Sequence, residues 1–193
     1  SSPTAASATT PFRTSTGGVT ILLLAAAIVA AIGLVLPTGE VNRTQQIEAI
    51  LEAASDSDPT RLDTHLQTLS SQYGSQTVDG WIRAGARQSL AAAYRAASPV
   101  DEARDFRRAA TLFGSMNAPS VDMLEVAADA MNRAGDCHCE LNDATAARAA
   151  FRRAEAHFAT ILATESTSAA RRKRVETKKT RARRYIECGC STP

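Results

Sequence analysis

Aromatic side chains are scarce: five Phe, three Tyr and one Trp among 193 residues. A chain so short of rings and so rich in alanine is poorly equipped for a β-sandwich or barrel and suits closely packed helices. No stretch alternates polar and apolar residues in the manner of a strand. Also missing are a Gly-rich phosphate loop, a His-Glu-x-x-His helix and a serine nucleophile elbow. The three histidines, His65, His138 and His157, stand apart from one another in the chain. The expectation is therefore a protein that is not an enzyme, with no catalytic residues and no cofactor. A large charge of one sign is absent too, since the net charge is only +2. That figure averages over a dipole: residues 40–80 carry seven acidic groups against two arginines, and residues 165–193 carry nine basic groups against three glutamates. The two regions are expected to seek different partners or to neutralise one another.

What the sequence does have, near its start, is one long apolar run. Val19 to Leu36 contains no charged residue. As a helix it would be about 27 Å long, close to the ~30 Å hydrocarbon core of a bilayer. A cleaved signal peptide has a basic leader and a shorter apolar core. Here a polar, Ser/Thr-rich arm of residues 1–18 precedes the run, with Arg13 as its only charge. The run is read as a single transmembrane helix, ended by Pro37 and Gly39. Arg13 on one side and Arg43 on the other leave its orientation open by the positive-inside count.

Beyond the span the apolar spacing is helical. Ile47, Ile50, Leu51 and Ala54 form one stripe. Leu62, Leu66, Leu69 and Tyr73 form another, on a helix that Asp58 would cap with Pro59 in its first turn. A further helix is expected to start near Asp79, and others after Ser98-Pro99, at Pro119, after Asn142-Asp143 and at Ser168, the last stopping at Gly189. The fold class is all-α, built of antiparallel hairpins. Its expected divisions are a linker and first hairpin over 37–78, helix pairs over 79–164, and a basic closing helix with a cysteine-bearing tail over 165–193.

Two of these hairpins resemble each other. Met131, Ala134, Gly135 and His138 on one helix are followed by Ala147, Phe151 and Ala154 on the next. Leu90, Ala91 and Tyr94 are similarly followed by Ala103 and Ala110, with Arg107 at the aromatic position and Phe106 beside it. In this register the copies lie 44 residues apart. The pattern resembles the tetratricopeptide repeat, in which a small residue on the first helix lets an aromatic-bearing second helix approach closely. The resemblance implies a stack of helix pairs with a concave groove that holds peptides or partner helices.

Four cysteines form two C-x-C pairs, Cys137/Cys139 and Cys188/Cys190. Residues two apart on a helix point about 200° away from each other, so neither pair grips one ion easily. In a repeat stack the two helices that carry them run side by side. Two staples across, each closing a loop of about 50 residues and worth roughly 4 kcal/mol, are one reading. A zinc site on the four cysteines with His138 nearby is a second, and free thiols are a third. Disulfides would place the domain in an oxidising compartment such as a periplasm or lumen. The crowded bases of the closing helix, Arg171, Arg174, Lys178 and Arg181 among them, suit a solvated outer face, an acidic protein partner or anionic lipid headgroups. Nucleic acid is not expected, because no aromatics interleave with these charges. Taken together, these features imply an accessory or scaffolding subunit anchored by one helix in a larger membrane complex of photosynthetic, respiratory or translocation type. The alternatives are a membrane-tethered chaperone that binds client segments in its groove, and a metal or redox protein using the cysteines.

Overall fold

The computed structural model describes residues 38–55, 59–164 and 167–190. The arm over 1–18, the apolar run Val19–Leu36 and the Asp58 cap lie outside the described residues. Among those described, no helix is long and apolar enough to cross a membrane. The chain divides into two compact units, Ser1–Asn42 and Arg43–Pro193, and the helical domain is the second.

Seven helices make up the described residues: α1 (Thr38–Ala53), α2 (Pro59–Tyr73), α3 (Ser75–Ala93), α4 (Pro99–Gly114), α5 (Val121–Glu140), α6 (Ala144–Ala163) and α7 (Ala169–Cys188). The fold is all-α, with consecutive helices packed as antiparallel neighbours. Local chemistry sets most of the boundaries. Ser98, Ser120, Asp143 and Ser168 each accept a hydrogen bond from the backbone N–H three residues on, satisfying a donor that a helix start leaves unpaired. Asn142 adopts φ 57° between α5 and α6, and Gly189 adopts φ 77° after α7, the left-handed geometry that releases a chain from a helix.

Three expected boundaries move. Gly39 does not end a helix but lies in the first turn of α1, where N–H groups have no intrahelical partner in any case. α5 starts at Val121 behind its Ser120 cap rather than at Pro119. α3 starts at Ser75, not near Asp79, because Gly74 at φ 82° turns the chain directly out of α2. The division expected after residue 78 therefore falls inside α3. Asp79 serves elsewhere: its Oδ1 accepts from the Asn117 N–H at 3.1 Å, tying α3 to the loop before α5.

The apolar stripes point inward as their spacing requires. Ile50, Leu62, Leu66, Leu69, Val78 and Ile82 are all buried in the main core. On the second helices of the two similar hairpins the buried positions correspond at 45 residues rather than 44, while Ala91, expected as the small packing residue of the earlier copy, is exposed. Phe106, Ala109 and Phe113 on α4, with Met116 just beyond its end, recur 45 residues later as Phe151, Ala154, Phe158 and Ile161 on α6, and all eight are buried. Phe106, not Arg107, is thus the inward aromatic of the first copy. Tyr94 remains 69% exposed, with its ring edge-on to Phe106 at 5.2 Å.

The close approach expected between helices is realised at Gly135. A Cβ built there would lie 2.7 Å from Cζ of Phe151. The ring cannot retreat, since Tyr185 of α7 stacks on it with centroids 4.6 Å apart. Gly85 differs, because a Cβ there would meet Leu51 at an ordinary 3.5 Å. We expect Gly135→Ala to destabilise the domain by about 1–3 kcal/mol through overpacking. Gly85→Ala should stabilise it by up to ~1 kcal/mol through helix propensity. Thermal unfolding followed by helical circular dichroism checks both.

Candidate site: a charge ladder and a cysteine staple between two helices

α5 and α7 belong to different hairpins but run in the same direction. Residue pairing shows it: Asp122 meets Arg171, Glu125 meets Arg174, Asp129 meets Lys178 and Asp136 meets Arg181, both numbers rising together. The four carboxylates sit at helical spacing on one face of α5, so they fall into line along the helix. The bases opposite match this spacing on α7 for the first three pairs, and Arg181 then reaches Asp136 a turn further along α5.

Glu125 is the centre of this ladder and is only 8% exposed. Arg174 grips it with two parallel hydrogen bonds, Nε to Oε1 and Nη2 to Oε2, both 3.0 Å. Lys178 donates to Oε1 at 3.2 Å and bridges on to Asp129 at 2.6 Å. The Arg174 hydrogen bonds, opposed by burial and helped by Lys178, hold the Glu125 carboxyl below the usual range. Asp136 behaves oppositely. Burial outweighs the attraction of Arg181 and Arg133 and pushes its carboxyl up, and Arg181 reaches it only at 3.4 Å. The ladder is therefore tight in its middle and loose toward the cysteine end.

The bases proposed from sequence as partner contacts, Arg171, Arg174, Lys178 and Arg181, are the four that engage α5. Other residues fasten α7 to α6. Arg183 donates to Glu155 at 2.9 Å, and Arg148 donates to the Ile186 carbonyl at 3.2 Å. Sequence reasoning saw the basic helix and missed its counterpart, although Asp122, Glu125 and Asp129 are spaced as Arg171, Arg174 and Lys178 are.

At the far end of the pair, Cys139 and Cys190 form a disulfide with Cα atoms 5.2 Å apart, closing a loop of 51 residues. The expectation of two staples is corrected to one. Cys137 is a buried free thiol and Cys188 an exposed one. The reason is the helical rotation that also disfavours a shared ion. With Cys139 turned toward α7, Cys137 is turned into the interior near Glu102 of α4. Burial first, and then the negative charges of Glu102 and Glu140, raise the Cys137 thiol to about 11. His138 is half-buried, and both of its ring nitrogens are shielded from solvent without a partner. Burial and nearby Arg107 push it below the ordinary histidine range. Among the described residues no three His, Cys, Asp or Glu side chains converge as metal ligands, so the four-cysteine zinc reading finds no geometry there.

A second feature lies between α4 and α6. Two adjoining cavities of about 280 and 100 Å³ share Met131 and Arg153 as lining residues. Four alanines line them (Ala110, Ala146, Ala149, Ala150), together with Arg107 and, in the larger cavity, Asp63 of α2. Among the described residues Arg107 and Arg153 have no ion-pair or hydrogen-bond partner. His157, which occupies space left by Gly114, is held below the usual histidine range by burial and by Arg153.

No family model, curated protein or solved structure matches the chain.

Two outcomes follow from the ladder and the staple. Because the Glu125 carboxyl is depressed in the fold, its contribution is complete above its unfolded value of 4.5 and is lost as pH falls through the lower folded value. Glu125→Gln should lower the thermal midpoint by a few degrees at pH 7 and flatten the loss of stability on the acid side. An unchanged acid limb in that variant would contradict this account of Glu125. Reduction of Cys139–Cys190 should cost up to about 4 kcal/mol on the chain-entropy account, read as a fall in melting temperature on adding dithiothreitol. Cys190→Ser should melt at the reduced value with or without reductant.

Proposed function

We propose that the chain is a membrane-anchored accessory or scaffolding subunit of a larger membrane protein complex, acting through protein–protein contacts on a tetratricopeptide-like stack. The observation that carries this reading is Phe151 lodged against Gly135. It is the small-residue and aromatic approach by which such repeats bring their helices together. Val19–Leu36 supports the anchor by its length and lack of charge. The Cys139–Cys190 bond supports placement of the domain in an oxidising space, a periplasm or lumen.

The contact surface in this proposal is the trough between α4 and α6. Its four alanines admit a close-lying segment, and Arg107 and Arg153 keep their charge for an acidic stretch of a companion subunit. The bases of α7 are less suited, since those facing α5 are already engaged.

Purification in a mild detergent with quantitative mass spectrometry tests the proposal. We expect companion proteins at fixed stoichiometry, and expect Arg107→Glu with Arg153→Glu to shed at least one of them while leaving the melting temperature near that of the parent. Variable, substoichiometric companions would instead favour a tethered chaperone, and recovery of the chain from the aqueous phase after carbonate washing would remove the anchor.

A further inference from the structure

Three of the four cysteines gather at one end of the α5–α7 pair. Two are joined as Cys139–Cys190, and Cys188 lies two residues from one of the bonded sulfurs. We propose that this cluster is a thiol–disulfide exchange site in which Cys188 is an internal nucleophile that replaces the Cys139–Cys190 disulfide with a Cys188–Cys190 disulfide.

The two free thiols are not equivalent. Cys188 is exposed on α7, whereas Cys137 is buried. Exchange requires a thiolate with access to a disulfide sulfur. The Cys137 thiol, pushed up to about 11 by burial and by the negative charges beside it, stays protonated and stands apart. Gly189 is the hinge between the other two. It leaves the helix at φ 77°, a backbone geometry that glycine adopts without strain, so the chain turns out of the helix between Cys188 and Cys190. A rigid helix would hold residues two apart on opposing faces. The glycine in Cys188-Gly189-Cys190 removes that restraint from the second cysteine.

The step balances without an outside oxidant or reductant. The Cys188 thiolate attacks Sγ of Cys190 in line with the existing bond. A Cys188–Cys190 bond forms as the Cys139–Cys190 bond breaks, and the electron pair leaves on Sγ of Cys139, which takes up a proton. One disulfide and one free thiol are present before and after. The mechanical result is that α7 loses its covalent link to α5 and keeps the charge ladder to that helix, along with the Tyr185 stack and hydrogen bonds to α6. This inference does not depend on what the domain docks against.

The test uses the full chain in detergent, purified without reductant. After incubation at neutral pH it is quenched with acid, blocked with N-ethylmaleimide in denaturant, digested with trypsin and mapped by mass spectrometry. Two products are expected. In one, the tail peptide beginning at Tyr185 is joined to the peptide holding Cys137 and Cys139, and the pair carries two maleimides, on Cys137 and Cys188. In the other, the tail peptide is closed on itself with no maleimide, and the peptide holding Cys137 and Cys139 carries two. Cys188→Ser should abolish the second product and leave Cys190 joined to Cys139. Detection of the first product alone after prolonged incubation overturns the proposal. So does a linkage through Cys137, or maleimide on Cys139 in the Cys188→Ser chain.

Discussion

The ring of Phe151 has room only because Gly135 carries no side chain, and much of the carboxyl-terminal half of the domain follows from that contact. With the ring pressed against the α5 backbone, α6 lies close to α5. Tyr185 then covers the ring's other face and brings α7 across the hairpin. Ala147 and Ala182, both buried beside Phe151, keep the same junction thin. Once α7 is seated there, its direction matches that of α5, and two further kinds of bond become possible. Charges meet along the shared length of the helices, and sulfurs meet at their ends.

The charges are not of equal consequence. Asp122, paired with Arg171, and Arg181, paired with Asp136, are well exposed, and pairs of that kind contribute little and are screened by salt. Glu125 differs because it is shielded from water and held by a guanidinium in a two-point grip, a geometry that fixes register as well as attracting. The ladder also changes how the sequence's charge dipole presents itself. Four of the nine bases in the closing segment face carboxylates of α5, so the field around α7 is weaker than a count of residues implies. That is the physical basis for seeking the contact surface on α4 and α6, where Arg107 and Arg153 remain uncommitted.

Helical class, capping residues and inward stripes were legible because each rests on local chemistry. A serine before an acidic first turn, a Pro at the first position of α4 and a glycine after α7 act within a few residues of themselves. The misreadings have a different origin. Gly74 was passed over because a lone glycine between two polar stretches gives no periodic signal. The repeat register slipped by one because Arg107 and Phe106 are neighbours, and only packing decides which turns inward. The cysteines were paired by proximity alone, although the 200° rotation already raised against a metal site separates Cys137 from Cys139. Parallel alignment of the cysteine-bearing helices follows from the stacking order, but the match of α5 acids to α7 bases does not. Their partners lie 45 to 53 residues away, beyond any local rule.

The position of Cys190 has a mechanical corollary. It lies past the last turn of α7, and its covalent neighbour Cys139 is near the end of α5. A pull applied to the chain beyond Cys190 is thus transmitted straight into α5, bypassing the whole length of α7. Tension there would be carried by a sulfur–sulfur link and the backbone of the central hairpin, rather than peeling the outer helix away one ion pair at a time.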